Sequence, residues 1–148
     1  MPPTPDAVAR QWFREVWDEG KEETIDRLMA PDAIVHGLTG PGGPPMVGPA
    51  AFKPIFHTFR EALGDLAIDI ERVFVDGEYC TVHCRVKGRH VGRALGGEPT
   101  GRPVDFYGMT IMRVRDGRLI EGWNAFDFLS MYQQIGWVAN PVAPAATP

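Results

Sequence analysis

The chain has only two cysteines in 148 residues, Cys80 and Cys84. On an extended strand they would stand ~13 Å apart at ~3.3 Å per residue, whereas a disulfide needs Cα atoms within about 7 Å. They cannot bridge each other in a strand, and their spacing is not that of a metal site. They read as small buried hydrophobes. Long basic runs are also missing, and the net charge is −4 with a pI of about 5.5, which argues against a nucleic-acid surface. No apolar run approaches the ~20 residues that span a bilayer, so no membrane association is expected. The N-terminus, MPPTPDAVARQW, has no charged segment leading into an apolar stretch. A secretory signal is therefore not expected, and a cytoplasmic location is. G-x-S-x-G, His-x-x-x-His and a strand–loop–helix glycine cradle are absent too. That argues against an elbow serine, a helix-borne metal and a phosphate loop.

What is present is enough apolar mass, 44% of residues, for one core-forming domain. It is expected over residues 1–138, with a Pro/Ala-rich tail over 139–148 that reads as disordered or loosely draped. Val8, Trp12 and Val16, with Phe13 and Trp17 beside them, make an apolar stripe and predict a helix over 5–19, stopped by Gly20. A second short helix is expected over 22–29 and a strand over 33–36. The Gly- and Pro-rich segment 37–48 reads as a rim over a site or as a plain surface excursion. A third helix is expected over 50–63, with Phe52, Ile55, Phe56, Phe59 and Leu63 on one side and Pro54 distorting its first turns. The period then changes to two, giving strands over 66–75, 79–90, 104–115 and 118–126. Asp76-Gly77 and Asp116-Gly117 supply hairpin turns. A helix over 128–135 comes last. Helices first and a meander of strands afterwards make an α+β domain: a curved antiparallel sheet over helices, with a cavity at one open end.

Alternation along the strands assigns faces. Cys80, Val82, Cys84, Val86, Gly88 and His90 form the apolar face of strand 79–90, so His90 points inward and His83 outward. The two histidines therefore cannot share a metal. In the last strand Trp123 and Asp127 share one parity, but both faces are partly apolar, and alternation alone does not say which one meets the cavity. Strand 104–115 is also apolar on both faces, Val104, Phe106 and Met112 against Tyr107, Met109 and Ile111. That predicts a homodimer formed through the sheet.

Asp127, where the last strand runs into a helix, has two readings. In an apolar pocket its pKa would rise and it could exchange a proton near neutral pH. As a helix N-cap it would accept a backbone N–H and its pKa would fall. His36 and His90 each end a strand beside a Gly-rich loop, as proton relays or as structural histidines. His57 falls off the apolar stripe of its helix. Trp17, Phe56, Tyr107, Met109, Met112 and Trp123 would suit a flat organic ligand, or are plain core.

The segments WFREVWDEG and LMAPDAIVHG, the pattern Gly88-x-His90-x-Gly92, PTGRPVDFYG from Pro99, RDGRLIEGW from Arg115, and Asp127 followed by QQIG occur in this order over residues 8–138. Together they resemble the SnoaL-like polyketide cyclase (ester cyclase) family of the NTF2-like superfamily. The resemblance implies a cone-shaped curved antiparallel sheet over three helices with a deep apolar pocket. It implies a small apolar organic substrate and an intramolecular aldol condensation without cofactor or metal. It also implies an aspartate as acid/base, placed here on Asp127, with His36 and His90 at polar pocket positions. Loss of turnover in Asp127→Asn is the matching expectation. Two other readings are a non-catalytic binder of small apolar ligands and a related isomerase or epoxide hydrolase. The last needs an Asp–Arg–Asp set, and Arg85 and Arg113 show no carboxylate partners in the sequence.

Overall fold

The computed structural model describes residues 1–141, so most of the expected tail lies outside the described residues. Helix α1, Pro5–Trp12, opens with a proline in its first turn, where the missing N–H costs nothing. It does not continue as a regular α-helix to residue 19. Phe13–Asp18 is π-helical, and the Glu19 amide reaches back five residues to the Arg14 carbonyl at 2.9 Å. The wider turn keeps Trp12, Phe13 and Trp17 on one buried side. Glu15, buried on the same stretch, accepts hydrogen bonds from Thr24 at 2.9 Å and Arg27 at 2.8 Å. It thereby ties the π-helical turn to α2, Glu22–Leu28. Its carboxyl is held below the usual range, first by a hydrogen bond with Gln11 and then by Thr24.

Helix α2 runs directly into β1, Met29–His36, longer than the expected 33–36. The Gly/Pro segment is a compact excursion that returns as β2, Met46–Val47, paired to β1. Helix α3, Gly48–Ala62, continues through Pro54, and β3, Leu63–Asp76, begins immediately after it. Then come β4, Tyr79–His90, β5, Pro103–Arg115, β6, Arg118–Phe126, and α4, Phe128–Gln134. The first hairpin turns at Gly77-Glu78, one residue later than expected. The second turns at Asp116-Gly117, both in the left-handed region (φ 52° and 76°), as a two-residue hairpin loop requires.

The six strands lie in the order β2-β1-β6-β5-β4-β3. The fold is α+β, an open cone-like sheet over helices. It is mixed rather than wholly antiparallel, because β1 runs parallel to β6. That junction is tight. A side chain at Gly37 would meet the Asn124 carbonyl oxygen, and Gly37 sits at φ 88°; both conditions call for glycine. In β4 the inward face is Cys80, Val82, Cys84, Val86 and His90, all buried, as alternation predicts. Burial pushes the Cys84 thiol up to about 12, leaving its S–H intact as a weak donor to the Gly108 carbonyl at 3.5 Å.

Candidate functional site

The helices and the inner sheet face enclose an apolar cavity. Trp12, Phe13 and Trp17 form one wall, and Phe52, Ile55 and Phe59 of α3 a second. The sheet contributes Leu63, Leu66 and Ile68 from β3, Val86 from β4, Phe106, Thr110 and Met112 from β5, and Leu119, Gly122, Asn124 and Phe126 from β6. Leu38, just beyond β1, and Phe128, the first residue of α4, also reach it. Counted out to solvent at its mouth, the space is about 740 Å³, of which about 70 Å³ admits the centre of a water molecule. Phe128 stacks on Phe59 at 5.3 Å and on Phe126 at 5.8 Å, so the first residue of α4 forms part of the wall.

Among the described residues, no Asp, Glu, His, Lys, Arg or Cys lines this cavity. Apart from the indole N–H groups of Trp12 and Trp17, its polar side chains are Thr110 and Asn124, directly opposed on β5 and β6. The Thr110 hydroxyl lies 2.6 Å from Asn124 Oδ1 and 3.2 Å from the Trp123 carbonyl. It has one proton, and the shorter contact takes it. Asn124 Nδ2 donates to the His36 carbonyl of β1 at 3.0 Å. One hydroxyl and one amide thus brace three adjacent strands from inside the cone.

The face of β6 that meets the cavity is set by a bulge. The hairpin closes with Arg115 opposite Arg118. An unbroken ladder from there would put Thr110 opposite Trp123 and turn Trp123 and Asp127 inward. Instead the register slips by one residue between Arg113 and Val114, so Thr110 pairs with Asn124 and Met112 with Gly122. A one-residue slip exchanges the two faces of a strand. Gly122, Asn124 and Phe126 therefore point into the cone, and Glu121, Trp123 and Asp127 point away.

Asp127 is consequently exposed. It caps α4, accepting the Ser130 amide on Oδ1 at 3.0 Å and the Ser130 hydroxyl on Oδ2 at 2.5 Å. Those bonds, the hydroxyl first, hold its carboxyl below the usual range. The desolvation on which the acid/base reading rested is outweighed here by the two Ser130 bonds. His36 lies on the same outer side, stacked on Trp123 at 5.5 Å with Nε2 on Glu121 Oε2 at 2.8 Å. Trp123 is thus half-buried against His36 rather than in the cavity.

His90 is inward, as alternation requires, and is 0% exposed, but it lies outside the cavity lining. Its Nδ1 accepts the Thr100 amide at 3.1 Å, its Nε2 is buried with no hydrogen-bond partner among the described residues, and its ring meets Trp137 edge-on at 5.0 Å. Among the proposed ligand contacts, Trp17 and Met112 line the cavity. Phe56 is buried behind Trp17, ring centres 5.9 Å apart. Tyr107 and Met109 are 47% and 54% exposed on the outer face, because β5 alternates strictly and Phe106 and Thr110 take the inner side. His83, also outward, stacks on Tyr107 at 5.3 Å. Arg85 and Arg113 do have carboxylate partners, Asp105 and Glu78, but these pairs are on the outer face, away from the cavity lining. Among the described residues, no three His, Cys, Asp or Glu side chains converge as a metal site would require.

Residues 7–135 match the family model described as SnoaL-like polyketide cyclase. Nogalonic acid methyl ester cyclase of Streptomyces nogalater is 25% identical over 126 residues, 81% of this chain and 89% of the relative. Aklanonic acid methyl ester cyclase DauD of Streptomyces sp. (strain C5) is 27% identical over 142 residues, 92% of this chain and 83% of the relative. The crystal structure of IdmH from Streptomyces antibioticus superposes with a TM-score of 0.78 at 27% identity, covering 90% of this chain and 99% of that one.

Proposed function

Because the chain belongs to the SnoaL-like polyketide cyclase family, we propose that it binds a neutral, flat, carbonyl-bearing polyketide ester in the cone and promotes ring closure within it. The observation that carries this reading is the apolar cavity whose polar groups are one hydroxyl, one amide and two indole N–H groups, all neutral at ordinary pH. Such a wall suits a ligand with an extended apolar surface and few polar groups.

The reaction is an internal aldol addition. A C–H between two carbonyls loses its proton, the resulting enolate carbon bonds to a ketone carbon folded back upon it, and the new alkoxide regains a proton. No atom is gained or lost. With no titratable group on the described wall, the proton leaves to water at the open mouth. The protein's contribution is to hold the chain bent, and fixing two reacting groups in contact can replace effective concentrations of about 10⁵–10⁸ M. The carbon acid is activated by its own two carbonyls, so the scheme routes no step through a metal or cofactor.

The nogalonic and aklanonic acid methyl esters named for the relatives are the natural test compounds. Ring closure produces an isomer of unchanged mass that chromatography separates. Accelerated appearance of that isomer is the expected result. A second reading, binding without turnover, draws support from the lowered Asp127 pKa and from the lack of a base among the described residues of the wall. Quenching of Trp12 and Trp17 fluorescence with no isomer formed would favour it. Neither quenching nor isomer would overturn both.

A second copy of this chain is the proposed occupant of the outer sheet face. Tyr107, Met109 and Ile111 stand exposed in a row on β5, flanked by the internally paired charges of Arg85 with Asp105 and Arg113 with Glu78. Charges already paired within one chain are less costly to bring against an identical face.

A further inference from the structure

We infer that Asn124, clamped by Thr110, is the residue that selects a carbonyl-bearing ligand and sets its orientation in the cone; this rests on the reading of the cavity as a binding site. A primary amide has one acceptor oxygen and two N–H donors. The Thr110 hydroxyl occupies the oxygen at 2.6 Å, and the His36 carbonyl takes one N–H at 3.0 Å. The His36 contact fixes which end of the amide is which, since a flipped amide would set its oxygen against a carbonyl oxygen, with no proton between them. The remaining N–H has no partner among the described residues, and Asn124 is on the cavity wall.

The surroundings give that one donor its selectivity. The neighbouring wall from β5 and β6 is Phe106, Met112, Gly122 and Phe126, which offer a ligand no side-chain hydrogen bond. A ligand oxygen buried against this wall finds Asn124 or goes unpaired. A carbonyl or enolate oxygen accepts from the N–H. A bare hydrocarbon leaves the N–H unpaired, which weakens its binding. The clamp orients Asn124 without itself touching the ligand, which makes Thr110 a positioning residue. Gly122, two residues before Asn124 on the same inward face, puts no side chain beside the amide; a Cβ there would come into ordinary contact with Leu119 Cδ1 and the Ile111 carbonyl oxygen, each at 3.8 Å.

The test uses two flat tricyclic probes of the same outline, fluorenone and fluorene, that differ by one carbonyl. Dissociation constants for both are measured by equilibrium dialysis with the full chain and with Asn124→Leu. Comparing the ratio of constants between the two proteins cancels the different solubilities of the probes. The expected result is a shift of about three- to tenfold toward fluorene in Asn124→Leu, the worth of one neutral hydrogen bond. Fluorene itself should still bind. Thr110→Val, which keeps the volume and removes the clamp, should shift the ratio the same way and serves if Asn124→Leu does not fold. An unchanged ratio in both variants overturns the assignment while leaving the cavity reading intact. Failure of the wild-type chain to bind either probe overturns the cavity reading itself.

Discussion

Thr110 and Asn124 face each other across β5 and β6 with hydroxyl and amide oxygens 2.6 Å apart. They are paired only because β6 carries one extra residue near its start. The same slip that brings Asn124 into the cone sends Asp127 out of it. The polar character of the cavity and the exposure of the carboxylate are therefore one structural event.

Asp127 is expected to matter for α4 and for Phe128 rather than for proton transfer. Asparagine caps as well as aspartate, so Asp127→Asn should change unfolding free energy by less than about 0.5 kcal/mol, whereas Asp127→Ala should cost about 1 kcal/mol. Ring closure should survive in Asp127→Asn and ligand affinity should fall in Asp127→Ala, because a frayed α4 loosens the Phe128 ring. The pH dependence has a definite sign. A carboxyl lowered on folding stabilises above its unfolded value of about 3.9 and loses that contribution as pH drops through the folded value. Wild type should therefore lose more stability below pH ~4 than Asp127→Asn does. Denaturant unfolding at several pH values measures this. A stable Asp127→Asn that no longer closes the ring would return the proton-transfer role to Asp127.

Asn124→Asp places an ionisable group where the structure has a neutral one. The new carboxyl would lose water and would face the His36 carbonyl oxygen, so its pKa should rise on folding. A raised carboxyl leaves stability untouched at low pH and costs progressively more as pH climbs past the unfolded value. The deficit relative to wild type should be larger at pH 8 than at pH 5, reaching about 1–3 kcal/mol. A deficit that is the same at both values would mean that the amide position is more open to solvent than the structure indicates.

Strand faces were legible in the sequence where one side is polar. Thr81, His83, Arg85 and Lys87 left Val82 and His90 only one way to point, and the structure agrees. In β6 both faces carry apolar residues, so alternation could not choose, and the choice was made by a bulge that leaves no mark in the composition. Sequence alone therefore offers Trp123 and Asp127 to the pocket and gives no signal that singles out Asn124. Tyr107 and Met109 look like core by hydropathy, yet β5 has only one helix-covered side. Helix 5–19 was legible as a buried stripe, but its π-helical turn was not, since the hydrogen-bond register of a helix is not written in its apolar spacing.

The outer face yields an association test. Met109→Glu puts a charge at the centre of the row formed by Tyr107, Met109 and Ile111. Sedimentation velocity should show wild type as a dimer and the variant as a monomer with an unchanged far-ultraviolet spectrum. Wild type that remains monomeric across the concentration range would remove the second copy from the outer face.

The two thiols are expected to be inert in the folded chain. Cys80 and Cys84 are buried at 0% exposure, and burial raises both, Cys84 to about 12. At pH 8 very little thiolate is present to react. Ellman's reagent should detect no thiol in the native protein and two after addition of guanidinium. Rapid native labelling would indicate opening of β4 on the timescale of the assay.

The π-helical turn at Phe13–Asp18 has a consequence for how this cavity can be reshaped over generations. A π turn is in effect a helix that has absorbed one residue too many. Deleting one residue there would restore ordinary pairing and narrow the turn, drawing in the segment that carries Phe13 and Trp17 on the wall. The outline of the cone is thus adjustable by a single-codon deletion in the turn that Asp18 ties to the Ile68 amide of β3 at 2.7 Å. Relatives that differ in length at this point should differ in the shape of molecule they accept.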